Sequence, residues 1–245
     1  MTSTSSTPAS ASPASDIHWA DPARQQAFGI WLAAQAGRHG VQPDSLRSAS
    51  ADASFRRYFR VDAPTAPRGT LIIMDAPPEK EDCHPFVAVA RLLEAGGVGV
   101  PHILEWDEAQ GFMLLSDLGQ HTFLATLEAT DYDHGPASRN RALYMSAIDE
   151  LVRLQAVPAD SLPSYDDALL QRELDLLPEW YLTQLRGLSL DEATRTMLAQ
   201  TFALIKAEAL AQPTGFVHRD YHSRNLMADP ADPKARLGVL DFQDA

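Results

Sequence analysis

The segment Phe216-Val217-His218-Arg219-Asp220-Tyr221-His222-Ser223-Arg224-Asn225-Leu226 carries the spacing H-R-D-x-x-x-x-N. Further on, Leu237-Gly238-Val239-Leu240-Asp241-Phe242-Gln243 sets a second aspartate at the end of a short apolar run. These residue types at these intervals divide the labour of phosphoryl transfer. An aspartate on a loop receives the proton of an acceptor hydroxyl, and an asparagine five residues later turns back towards a metal ion. The second aspartate, reached through one hairpin, holds the metal that bridges the nucleotide phosphates. The candidates are Asp220 as catalytic base and Asn225 and Asp241 as metal ligands.

Two other readings of the same residues stay open. A lone His-Arg-Asp is an ordinary turn in many proteins. His218, Asp220 and His222 also form H-x-D-x-H, a cluster of zinc-ligating type, and zinc hydrolases add further ligands downstream. No histidine follows His222, although Asp229, Asp232, Asp241 and Asp244 remain as oxygen donors.

The elements that must position these residues are readable from the periodicity. Asp21-Pro22 is a helix start, with a carboxylate cap and a proline at the first helical position. A helix is expected over Ala23–Ala36, stopped by Gly37 and Gly40. The period then shortens, and strands are expected at Leu46–Ala51, Phe55–Ala63 and Thr70–Asp75. In the second of these, Phe55, Arg57, Phe59 and Val61 share one face, and Arg56, Tyr58 and Arg60 the other. Leu71-Ile72-Ile73-Met74 is apolar throughout, as for a strand buried on both sides. A helix follows from Glu81, with Phe86, Val89, Ala90 and Leu93 on one face. A hairpin joins Ile103–Trp106 to Phe112–Leu115.

Beyond Asp117 the pattern turns helical. Leu143, Ala147, Leu151 and Leu154 form an amphipathic stripe. Two more helices are expected at Ala168–Leu185, kinked or broken by Pro178, and at Glu192–Ala211. Short strands are expected at Phe216–Val217, Leu226–Met227 and Leu237–Leu240. The fold class is therefore α+β. A disordered Ser/Thr/Ala/Pro tail occupies 1–20, a sheet-rich N-terminal lobe 21–117, and a mainly helical C-terminal lobe 118–245.

Composition narrows the function. Of 245 residues, 33 are acidic and 20 basic, giving a net charge of −13. That field repels phosphate backbones and anionic lipid, so nucleic acid and membrane are not expected partners. No apolar run approaches the roughly 20 residues that span a bilayer. A single cysteine, Cys83, leaves no internal disulfide framework. The tail lacks the basic start and apolar middle of a secretory signal, so cytoplasmic residence is expected.

Three segments carry a resemblance to a known family: Ala53-Ser54-Phe55-Arg56-Arg57-Tyr58-Phe59-Arg60-Val61, Met74-Asp75-Ala76-Pro77-Pro78-Glu79, and His218 to Met227. Together they resemble the aminoglycoside phosphotransferase-like kinases. Within these they are most similar to the kinases that phosphorylate the anomeric hydroxyl of N-acetylmuramate and N-acetylglucosamine in cell-wall recycling. The resemblance extends over roughly Pro22 to Ala245. It implies a two-lobed, protein-kinase-like fold, ATP and Mg²⁺ as cofactors, and an amino sugar as acceptor. It also implies that Ser50 to Arg57 covers the nucleotide phosphates, with the hydroxyls of Ser50 and Ser54 contributing. Leu114 to Leu118 then form the hinge beside the base, with Leu114 and Asp117 as nucleotide-binding residues. The lysine that protein kinases carry on the third strand is absent from Leu71-Ile72-Ile73-Met74-Asp75, and Arg57 or Arg60 is the expected replacement. Kinases of this type have further helices after the position of Ala245, so the sequence reads as a fragment with an incomplete C-terminal lobe and uncovered apolar helix faces. An aminoglycoside or other small-molecule acceptor stays open, as does a nucleotide-binding module without transfer activity.

Overall fold

A computed structural model describes residues 17–51, 55–131, 135 and 137–245. Helix α1 (Pro22–His39) begins where its cap predicts, with the Asp21 carboxylate accepting from the Ala23 N–H. It runs through Gly37 and stops at Gly40, whose φ of 66° is the left-handed turn glycine adopts freely. Strands β1 (Gln42–Ala51), β2 (Arg57–Asp62), β3 (Thr70–Asp75), β4 (Ile103–Asp107) and β5 (Phe112–Ser116) follow, with helix α2 (His84–Ala95) between β3 and β4. The five strands form one antiparallel sheet in the order β1-β2-β3-β5-β4.

The sheet is covered on both sides, which explains the unbroken apolar run in β3. On one face α1 contributes Phe28, Trp31 and Leu32 against Phe59, Val61, Leu71, Ile73, Phe112 and Leu114. Ile17 and Trp19 join this cluster, and Trp19 stacks on Phe59 at 6.0 Å. The chain is thus packed from Ile17, ahead of the expected end of the tail at residue 20; residues 1–16 lie outside the described residues. On the other face Met74, Met113 and Leu115 meet Phe86, Val89, Ala90 and Leu93 of α2, as the stripe on α2 predicts.

The second cluster continues into the C-terminal lobe. Helices α3 (Phe123–Thr126), α4 (Arg139–Gln155), α5 (Asp167–Leu176) and α6 (Glu192–Leu210) precede a two-stranded ribbon of β6 (Leu226–Met227) and β7 (Gly238–Val239). Leu143, Ala147 and Leu154 of α4 share a core with Phe216, Leu226, Val239, Phe242 and the α2 residues. A single apolar cluster therefore ties the lobes together.

One expectation is corrected and another resolved. Phe216–Val217 is not a strand: Phe216 is buried in the shared core, Val217 is exposed, and no strand pairs with them. Pro178 breaks its helix rather than kinking it: α5 ends at Leu176 and the chain continues as a π-helical stretch, Leu177–Leu185. Proline lacks the N–H of a regular turn and crowds the carbonyl four residues earlier, which favours such a register change. This arm leaves an apolar face open, with Trp180 at 60% and Leu185 at 73% exposure. Among the described residues no helix is long and apolar enough to cross a membrane.

Candidate active site

The loop after α6 has no regular structure, so individual bonds must hold it. His218 is buried, and its Nε2 donates to the Leu240 carbonyl at 3.0 Å. Burial pushes its pKa below the usual histidine value, and the Leu240 bond with the nearby charges of Asp241 and Asp220 offsets this only partly. The ring is therefore neutral at pH 7 and acts as a strut. Tyr221 donates its hydroxyl to the Ala147 carbonyl at 2.6 Å, fastening the loop to α4. Arg219 adopts φ 70° and bonds Glu173 at 2.6 Å and the Asp244 carbonyl at 3.1 Å. The chain on either side of Arg219 is pinned, and Asp220 is left exposed between the pins.

Asn225 joins the two motifs. Its side-chain amide donates to the Asp220 backbone carbonyl and to Oδ2 of Asp241, each at 3.1 Å. Gln243 donates to the other oxygen, Oδ1, at 2.8 Å. Asp241 stands at φ 61°, a left-handed conformation that aspartate tolerates better than most residues. That turn lets β7 end and the carboxylate face Asn225. One exposed carboxylate and one amide oxygen form a hard-oxygen pair that leaves room for water and phosphate, which suits Mg²⁺. Among the described residues no group of three or more His, Cys, Asp or Glu side chains is arranged to hold a metal ion. Within H-x-D-x-H the first histidine is buried, and its Nε2 is committed to the Leu240 carbonyl.

Asn225 and Asp241 sit at one end of a cavity of about 420 Å³ between the lobes. Its roof is Ala49, Tyr58 and Ile72 from the sheet, its floor Met227 and Leu240, and its back wall Leu115 to Gly119. This shape suits a flat aromatic base between apolar surfaces, with polar backbone at the wall. Asp117 is largely buried there. It takes bonds from Arg60 Nε at 2.6 Å, Thr70 Oγ1 at 2.7 Å and the Gly119 N–H at 2.8 Å. Burial alone would raise its pKa, but these bonds and the Arg60 charge outweigh it and hold the carboxyl below its ordinary value.

The structure separates the remaining sequence candidates. Arg57 does not reach the cavity. Strand alternation turns it to the α1 face, where it bonds Asp75 together with Arg24 and lies 3.9 Å from the Trp19 ring. Leu114 also faces α1, fully buried, in register with Ile73 and Glu105; the wall begins at Leu115. Ser50 lies in β1 opposite Tyr58, and Ser54 lies outside the described residues. Of the two arginines named for the missing lysine, only Arg60 lines the cavity. The pairs Arg60–Asp117 and Arg56–Glu81 are not evident from the sequence alone. Their one signal is the alternation that puts Arg56, Tyr58 and Arg60 on the face opposite Arg57.

An antiparallel lobe and a helical lobe, closed over a cavity with an H-R-D-x-x-x-x-N loop and a following aspartate, define the kinase-like phosphotransferase class. The chain belongs to the phosphotransferase enzyme family (APH), which matches residues 45–245. It is 45% identical over 233 residues, 92% of this chain, to the N-acetylmuramate/N-acetylglucosamine kinase of Pseudomonas aeruginosa. It is 46% identical over 206 residues, 84% of this chain, to the enzyme of the same name from Pseudomonas putida. The chain spans 64% of the first relative and 56% of the second. Among solved structures, the GDP and kanamycin complex of APH(2")-IIia superposes with a TM-score of 0.59 at 16% identity, over 89% of this chain and 73% of that one. A choline/ethanolamine kinase family protein from Mesorhizobium loti gives 0.54 at 14% identity, over 90% and 65%. These likenesses establish the fold.

Proposed function

We propose that the chain forms the nucleotide-binding and catalytic part of a kinase that phosphorylates the anomeric C1 hydroxyl of N-acetylmuramate, N-acetylglucosamine or both, using ATP. The observation that carries this reading is the Asn225 amide, which links the Asp220 backbone to the Asp241 carboxylate. Base and metal ligands are thereby set as one unit beside a cavity fit for a nucleotide. The amino-sugar acceptor is supported by the relatives named above and by the three sequence segments.

In the reaction a bond forms between the sugar C1 oxygen and the γ-phosphorus, and the bond from that phosphorus to the β-phosphate oxygen breaks. The hydroxyl proton passes to the Asp220 carboxylate, and ADP leaves. Mg²⁺, held by Asn225 and Asp241, would offset negative charge on the phosphates when bound. Asp220 orients the hydroxyl from an exposed position between pinned neighbours, so it needs little reorganisation. Ile72, Met227 and the wall from Leu115 to Gly119 would hold the purine. Cys83, buried and unpaired, fits the cytoplasmic placement included in this reading. An assay of ADP release with each sugar and with kanamycin tests it. Turnover with the amino sugars is expected, and turnover with kanamycin alone would overturn the acceptor assignment.

A further inference from the structure

Strand β3 offers no lysine to grip phosphate, and β2 offers two arginines whose positions differ. Arg60 is registered opposite Ile72 and bound to Asp117, so it stands at the hinge end of the cavity beside the base. Arg56 lies four residues away, about 13 Å along an extended chain. It precedes β2 at the end where Arg57 pairs with Asp75, the last residue of β3.

Arg56 is held there by a carboxylate. Its Nε lies 3.3 Å from Oε2 of Glu81, and the two side chains are only 10% and 13% exposed. The other Glu81 oxygen accepts from the Phe55 N–H at 3.0 Å. Glu81 thus fastens both the backbone before β2 and the guanidinium that follows. Glu81 lies just before α2, and Phe86 of α2 stacks on Phe242 at 5.1 Å, next to Asp241. The start of α2 therefore flanks the cavity beside Asp241. Arg56 continues the alternation that turns Tyr58 and Arg60 towards the cavity, and a cation there, set by a carboxylate next to the helix, is the arrangement that a lysine–glutamate pair provides in kinases. Arginine adds a planar fork that takes two phosphate oxygens at once.

We infer that Arg56, oriented by Glu81, is the cation that binds the nucleotide's phosphates in place of the absent strand lysine. The inference rests on the kinase reading above and names the phosphate-binding residue of that same site. Arg57 and Arg60 are excluded from the role by their places, one behind the sheet and one at the hinge.

The test is calorimetric titration of the full chain with adenosine, ADP and ATP in the presence of Mg²⁺, for wild type, Arg56→Gln, Arg56→Lys and Glu81→Gln. Arg56→Gln should weaken ADP and ATP by about tenfold or more while adenosine binding stays unchanged. Arg56→Lys should recover part of the loss. Glu81→Gln should weaken ATP less than Arg56→Gln does, again sparing adenosine. Wild-type ATP affinity in Arg56→Gln would overturn the inference. So would an equal loss of adenosine and ATP, since that marks a structural role. Failure of the wild-type chain to bind any of the three would instead overturn the nucleotide-binding reading on which the inference stands.

Discussion

The Asn225 side-chain amide lies 3.1 Å from Oδ2 of Asp241, across a separation of 16 residues. The β6–β7 ribbon creates this closeness, since Leu226 pairs with Val239 and the Leu240 N–H donates to the Asn225 carbonyl at 2.8 Å. A two-stranded turn thereby brings the two proposed metal ligands to one point with little freedom left to lose. Asn225→Ala should therefore weaken Mg²⁺-dependent ATP binding by at least ~10–100-fold, the loss seen when a metal's supporting groups are removed. Titration with ATP with and without Mg²⁺ checks this, and the Mg²⁺-free affinity should change little.

The Arg60–Asp117 pair gives a stability prediction with a sign. Both side chains are nearly dry, at 12% and 3% exposure. Asp117→Ala would strand the guanidinium and should cost about 3–5 kcal/mol. The double change Arg60→Met with Asp117→Leu should cost less than Asp117→Ala alone, because no charge is then left unpaired. The Asp117 pKa is depressed on folding. Its contribution is therefore complete above the unfolded value near 4 and lost as pH falls through the folded value. Denaturant unfolding at pH 7 and between pH 5 and 2 reads both effects, and Asp117→Asn should flatten the acid limb.

His218 predicts a second pH window. Its pKa is lowered on folding, so below about 6.5 the unfolded chain binds a proton that the folded chain does not. Stability should fall as pH drops below that point, by at most ~1.4 kcal/mol per pH unit, until the folded-state pKa is reached. His218→Gln keeps a donor for the Leu240 carbonyl and removes the proton. Unfolding curves between pH 7.5 and 5 should show a shallower slope in this variant.

Gly99 is a contact between the lobes. Its N–H donates to buried Glu150 at 2.7 Å, its carbonyl accepts from the Val239 N–H at 2.6 Å, and a Cβ there would stand 2.4 Å from the Leu237 carbonyl. Backbone cannot give way as a side-chain tip does, so Gly99→Ala should destabilise by about 1–3 kcal/mol. Thermal unfolding checks this, and Gly29→Ala, whose Cβ meets nothing within 4 Å in helix α1, should instead stabilise by about 0.5–1 kcal/mol.

Local signals account for what was legible in advance. Asp21-Pro22 marked the first helix, and the Leu71–Met74 run marked a strand covered on both faces. The spacing of Asp220, Asn225 and Asp241 singled out three residues that the Asn225 amide ties together. The remainder depended on long-range geometry. Alternation sets Arg57 and Arg60 on opposite faces, but only the fold shows that Arg57 pairs with Asp75 on the α1 side and Arg60 with Asp117 in the cavity wall. Phe216–Val217 has the composition of a strand but no partner to pair with. Glu150 is fully buried on α4 because Gly99, Arg153 and Arg236 converge on it. No interval within α4 announces that.

The central claim is that Asp220 receives the proton of a sugar hydroxyl during phosphoryl transfer. The most direct measurement is turnover of N-acetylmuramate and N-acetylglucosamine by Asp220→Asn in the full chain, with ATP affinity measured in parallel. The account predicts kcat lower by ~10²–10⁴ with ATP affinity unchanged. Near wild-type turnover in Asp220→Asn would contradict it.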